Sequence, residues 1–352
     1  MELFPLIRLL LFTFIAFGLA IVATPVLTHF LYKYKLWKPK VRQFGPDGDA
    51  VPIIANLQSQ QDSGTPRMGG LLIWLTVVVV AAVGFFISKL DDSFSFWNLL
   101  NRSETWLPMF TLVAAGIIGF FDDFFVVKGK GGYAGGGIAI KWRILLVLAI
   151  GLIGAWWFTS KLGFNTVFVP LVGNVEIGWF YGPLFILVLF ATFSSGVVDG
   201  LDGLSGGVFS TIFLTYAVIA YSRGQYDLAT FCGVLLGATF AYLWFNIPPA
   251  RFYMGETGIL ALTTTLTVVA FLTNAVLLLP IAGIILVLES GSVQLQLLSK
   301  KFRHGKKIFL AAPIHHHFEA QGWPSYKVTM RFWVISAVFS VLAFLVYLIG
   351  PH

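Results

Sequence analysis

Ten apolar stretches of membrane-crossing length follow one another along this chain, and only short polar breaks separate most of them. A helix needs about 20 apolar residues to cross the hydrocarbon core. With no water there, its backbone groups must bond internally. Composition agrees. Of 352 residues, 57% are hydrophobic and 11% charged, and the mean hydropathy is +0.85; a soluble domain carries roughly 25% charged residues. The pattern predicts an all-α polytopic membrane protein with one integral domain over residues 1–352. The helices are expected at approximately 4–32, 69–89, 106–124, 141–159, 179–198, 207–222, 229–246, 258–273, 275–297 and 328–350. The first is too long for a signal-peptide core and reads as a retained helix. Between the fourth and fifth, NTVFVPLVGNVEIGWF alternates apolar residues around Gly173-Asn174 and predicts a small β-hairpin.

Ten spans divide the breaks between two faces. One face receives 33–68, 125–140, 199–206, 247–257 and 298–327, and holds 18 of the 23 basic residues, helix ends included. The other has Lys89, Arg102, Lys161 and Arg223, with Arg8 inside the first helix. Positive residues stay cytoplasmic, so the first face is expected in the cytoplasm, with both termini and the hairpin on the periplasmic side. The +7 net charge then reflects topology and anionic lipid, and requires no nucleic-acid partner. Cys232, the sole cysteine, lies in an apolar run and reads as a buried free thiol.

The expected cytoplasmic breaks carry the chemistry. Asp122 and Asp123 end the third span in FFDDFF. Adjacent helical residues diverge by about 100°, so one is expected to serve the site while the other points to solvent or a lysine, unless both merely end the span. Asp199 and Asp202 stand three apart in DGLDGLSGG, among glycines that let backbone approach a ligand. Glu256, in RFYMGETG, precedes a span and is a candidate metal ligand, with Thr257 and the helix start suited to phosphate. Carboxylates gathered at one face suit Mg²⁺, which takes one or two of them together with phosphate oxygens and water. His315, His316 and His317 cannot all reach one ion from a regular helix, which argues against zinc; they suit phosphate or sugar contacts, or form a surface run. KGKGGYAGGGIAIK (128–141) has lysines around glycine but lacks the P-loop pattern; linker and catalytic loop both stand, with Lys141 its stronger candidate.

Taken together, SGTPRMGG (63–70), GFFDDFF (119–125), DGLDGLSGG (199–207), FNIPPARFYMGETG (245–258), IFLAAPIHHHFEAQGW (308–323) and RFW (331–333) resemble the phospho-N-acetylmuramoyl-pentapeptide-transferase family, in the family's order. That family is a branch of the polyprenyl-phosphate N-acetylhexosamine-1-phosphate transferases. The resemblance implies a Mg²⁺-dependent enzyme of the bacterial inner membrane, usually a homodimer, with a cytoplasmic active-site cleft. Its substrates would be UDP-MurNAc-pentapeptide and undecaprenyl phosphate, its products lipid I and UMP. Carried over by motif, Asp122, Asp123, Asp199 and His315 take catalytic roles. Asp202, Asn246, Tyr253, Gln296, Lys141, His316 and Arg67 take substrate-binding ones, with Tyr253 at the aromatic position associated with uracil. Glu256 and Asp199 are the expected metal ligands.

Four positions depart from the family pattern. Glu256 stands for the usual Asp, Gly196 for Asn, Arg67 for the second Thr of GTPT, and Asp62 for a lysine. Arg67 is expected to supply the positive charge that Asp62 does not. The rival readings are a related N-acetylglucosamine-1-phosphate transferase, a secondary transporter and an aromatic prenyltransferase. Transporters place binding groups near the midplane rather than at span ends, and the prenyltransferase reading leaves the histidines unexplained.

Overall fold

The computed structural model describes residues 3–37, 64–100, 103–129 and 137–351. Asp62, Lys38, Lys40, Arg42, Arg102, Lys130 and the glycine-rich stretch 131–136 lie outside the described residues. The apolar runs become helices α1 (Leu3–Lys33), α2 (Gly70–Ile87), α3 (Trp106–Val127), α4 (Ile140–Trp156, prolonged by the wider turn Trp157–Lys161), α5 (Tyr181–Ser194), α6 (Leu204–Ser222), α7 (Tyr226–Asn246) and α8 (Gly255–Leu272). After these come the short α9 (Leu279–Ala282), α10 (Ile284–Phe302), α11 (Ile314–Ala320) and α12 (Ser325–Ile349). Among the described residues nine helices are long and apolar enough to span a membrane, or ten if the bent segment 276–302 counts as one.

That bent segment corrects the single helix expected at 275–297. Val276–Ala282 and Ile284–Phe302 meet at 81°. Pro280 cannot donate to a preceding turn, and Gly283 leaves helical geometry at φ −99°, ψ 31°. Beyond the bend, α10 turns Glu289, Ser290, Ser292 and Gln296 into the interior. The expected hairpin forms from β1 (Thr166–Val169) and β2 (Gly173–Glu176), paired antiparallel with Thr166 opposite Glu176. Its turn is 170–172, with Leu171 at φ 67°, so Gly173-Asn174 opens the second strand instead of making the turn. Asn274 clasps the hairpin, accepting from the Phe168 N–H at 3.0 Å and donating to Asn174 at 2.8 Å.

Burial grades from rim to centre. α8 is hidden over 94% of its span, and α6 and α7 over 78% each, whereas only 17% of α1 and 28% of α12 is buried. Hydrocarbon is as apolar as leucine, so close packing and interhelical hydrogen bonds hold such a bundle. α8 packs against α2, α3, α5 and α6. Thr192 on α5 bonds Thr267 on α8 at 2.6 Å. α3 passes so close to α8 that a Cβ on Gly119 would overlap the Glu256 carbonyl oxygen. Gly119 thus sets the distance between the helices bearing Asp122, Asp123 and Glu256. Replacing Gly119 with Leu should lower unfolding stability by about 1–3 kcal/mol, measured as a fall in the midpoint of thermal unfolding in detergent.

Candidate active site

Three segments deliver five carboxylates to one end of the bundle. α3 runs on to Val127, past the expected end at 124, so Asp122 and Asp123 lie within the helix at 2% and 0% exposure. Neither faces solvent and neither merely ends the span, because the surrounding structure supplies donors for both. Asp123 Oδ2 accepts from the Thr257 N–H at 2.9 Å and its hydroxyl at 2.8 Å, while Oδ1 accepts from Arg67 Nε at 3.1 Å. Asp122 Oδ1 accepts from the Ile138 N–H at 2.8 Å, and Oδ2 lies 3.9 Å from Arg143. Arg143 in turn grips Glu256 at 2.6 Å. The divergence of adjacent helical residues therefore holds, but both carboxylates stay within one polar cluster.

A short 3-10 turn, Ser195–Val198, leads into the second acidic segment, and α6 starts after it at Leu204. Asp199 accepts from Ser205 at 2.8 Å and from the Gly255 N–H at 3.0 Å. Asp202 turns the other way and accepts from the Ala250 N–H at 3.0 Å. Asn246 ties the two loops together, accepting from the Gly203 N–H and donating to the Phe252 carbonyl, both at 2.9 Å. Burial pushes the Asp199 carboxyl up to about 6; Ser205, Arg67 and the Gly255 amide pull the other way. Burial disfavours the charged Arg67 guanidinium, but Asp123, Asp199 and Glu256 outweigh it and the net direction is upward. Arg67 therefore remains a cation among three carboxylates, in keeping with the positive charge expected of it.

The remaining expected residues fall around this cluster. Tyr253 is half-buried in the loop before α8, its N–H bonded to the Pro66 carbonyl. Gln296 accepts from the Ile308 and Phe309 amides at 2.9 and 3.0 Å, and so shapes the connection to α11. Two of the three histidines leave the surface, while His317 stays half-buried. His315 and His316 are buried, with Nδ1 atoms 2.7 Å from Glu289 and Glu319 respectively. Burial drives His315 down to about 4 and also lowers His316. Lys141 lies exposed over the Trp142 ring, whereas Arg143, two residues on, enters the cluster. Sequence reasoning counted Arg143 only as a topological charge and missed Glu289; an ionisable residue inside a span was the available signal.

Every acidic donor here is a hard oxygen, which fits Mg²⁺ better than a soft metal. No three acidic or histidine side chains among the described residues cage an ion by themselves. A Mg²⁺ ion completed by water and phosphate oxygens needs no such cage. Geometry bears on the expected pair as well: the Gly255 amide bonds Asp199, but the neighbouring Glu256 side chain is drawn by Arg143 toward Asp122.

Comparison with known proteins finds relatives along most of this chain. The model of glycosyl transferase family 4 matches residues 105–274. A phospho-N-acetylmuramoyl-pentapeptide-transferase from Methylacidiphilum infernorum is 37% identical over 84% of this chain and 82% of its own. One from Lacticaseibacillus paracasei is 36% identical over 92% and 93%, and one from Geobacillus thermodenitrificans 32% over 93% and 94%.

The raised Asp199 fixes the sign of a pH effect. Its folded state holds the proton up to about 6, whereas an unfolded aspartate releases it near 3.9. The stabilisation is therefore complete below about pH 4 and lost as pH rises through about 6. In chelator, wild type should lose about 2 kcal/mol more than Asp199→Asn between pH 4 and 7, read from denaturant unfolding at each pH.

Proposed function

Because the chain belongs to the phospho-N-acetylmuramoyl-pentapeptide-transferase family, we propose that it transfers phospho-MurNAc-pentapeptide from UDP-MurNAc-pentapeptide to undecaprenyl phosphate, giving lipid I and UMP for peptidoglycan synthesis. One observation carries this reading at the level of chemistry: Asp122, Asp123, Asp199 and Glu256 converge with Arg67 and Arg143 at one end of a membrane bundle. Such a site can receive a water-borne nucleotide and a lipid phosphate together. The excess of Lys and Arg in the breaks that share this face supports a cytoplasmic orientation, with both termini outside. A homodimer is the proposed assembly.

The reaction exchanges one phosphoanhydride for another. An oxygen of the lipid phosphate bonds to the sugar-linked phosphorus of the donor, the bond to UMP breaks, and UMP leaves with the electron pair. Its cost lies in bringing two anions together. Arg67 and Arg143 carry forked guanidinium groups suited to phosphate oxygens. When substrates enter, these groups can exchange a carboxylate partner for a phosphate one. Asp122 aligns the acceptor phosphate and takes its proton, while Asp123 is held by Thr257 and orients Arg67. Asp199 and Glu256 would hold Mg²⁺, which when bound supplies positive charge to the donor diphosphate. Direct attack is favoured over a covalent aspartyl intermediate because one site can orient both substrates.

Purified protein given UDP-MurNAc-pentapeptide, undecaprenyl phosphate and Mg²⁺ should release UMP only when the lipid is present. UDP-N-acetylglucosamine should not replace the donor; efficient use of it would assign the chain to the other branch. Asp122→Asn should lower kcat at least about 1,000-fold with donor affinity retained, and retained turnover would remove Asp122 from the chemistry. Arg143→Ala should cost about 100-fold in kcat/KM, and Lys141→Ala less than about threefold. A reversed order would return the phosphate contact to Lys141.

A further inference from the structure

Outside the acidic cluster, the most unusual buried group is Glu289. It lies in α10 at 0% exposure, inside a segment that is otherwise of membrane-span character. Its Oε2 is 2.7 Å from Nδ1 of His315, which is also at 0% exposure. Among the described residues, Oε1 of Glu289 and Nε2 of His315 are buried without a hydrogen-bond partner. Stability alone does not favour such a pair, since buried polar atoms are normally satisfied and each exception calls for a reason.

The surroundings supply one. α10 packs against the 3-10 turn 195–198 that leads into Asp199. Next to Glu289, Ser290 bonds Ser194 at 2.7 Å, immediately before that turn. His315 approaches the same loop one residue farther along: its ring lies against Gly200, where any Cβ would collide with Nε2. Gly200 stands between Asp199 and Asp202. α10 therefore holds the entry to the acidic loop directly and its middle through the imidazole. Wherever the shared proton resides, the Oε2–Nδ1 bond fixes the ring plane and keeps Nε2 directed under the loop.

We propose that Glu289 is a positioning residue for the phosphoryl transfer: acting through His315, it sets the loop that presents Asp199 and Asp202 to the nucleotide-linked donor and the lipid phosphate. The inference rests on the reaction proposed above, and it assigns Glu289 no contact with substrate. Glu289→Gln keeps the shape of the side chain and a hydrogen-bonding end while removing the carboxylate.

The test uses the full chain in detergent, with kcat for UMP release expressed per site that binds the UDP-linked donor. Glu289→Gln should lower kcat about 10- to 100-fold, as removal of an orienting partner commonly does, with donor Kd within about threefold of wild type. His315→Gln and the double variant complete a cycle. The double should be no slower than His315→Gln alone, because the carboxylate acts through that ring. Wild-type kcat per site in Glu289→Gln, including the case where only the yield of folded protein falls, overturns the proposal; so do losses that multiply in the double variant. An inactive wild-type enzyme defeats the substrate reading and takes this inference with it. An active wild type with an indifferent Glu289→Gln defeats the inference alone.

Discussion

Five carboxylates drawn to one end of an apolar bundle repel one another, two of them fully buried, and the surrounding structure is arranged around that strain. Two arginines, one from the loop before α2 and one from the first turn of α4, insert positive charge between them. Backbone amides of Thr257, Gly255, Ile138 and Ala250 supply further donors, as do the Thr257 and Ser205 hydroxyls. Those amides come from chain regions that helix packing must bring within hydrogen-bond reach. The close passage of α3 over α8 at Gly119 is accordingly a requirement of the chemistry as well as of packing. Remove the donors and the buried aspartates could not remain charged at this depth.

The same arrangement explains why arginine suits both cationic positions. Arg143 spans Asp122 and Glu256 at once, turning one terminal nitrogen to each, which suits a planar fork whose donors point in fixed directions. Arg67 is held through Nε by Asp123 Oδ1. With Glu256 in place of a shorter aspartate, the carboxylate reaches an arginine on a neighbouring helix. Two of the departures from the family pattern, Arg67 and Glu256, thus fall in one charged cluster, where a change in reach at one position can be met by a change at another.

Much of this was legible in the chain itself. Apolar length located the spans to within a few residues, because hydrocarbon leaves the backbone no alternative to a helix. The hairpin and the acidic motifs were equally visible. What escaped were features decided by contacts distant in sequence. The bend at Gly283 follows from a proline and a glycine whose effect, within so apolar a run, hydropathy does not register. The end of α3 was placed early because two aspartates look like the edge of a membrane until Thr257 and Arg67 are found beside them. The choice between Lys141 and Arg143 depends on the rotation of α4 about its axis, and the buried histidines depend on Glu289 and Glu319, which no local motif joins to them.

The threonine-rich core helix has a consequence for biogenesis. α8 is nearly cut off from lipid, and the hydroxyls of Thr263, Thr264 and Thr267 turn back onto its own carbonyls. The helices that enclose it, α2, α3, α5 and α6, all precede it in the chain. Synthesis from the N-terminus therefore delivers this piece of the architecture last among its neighbours, into a berth they have already built.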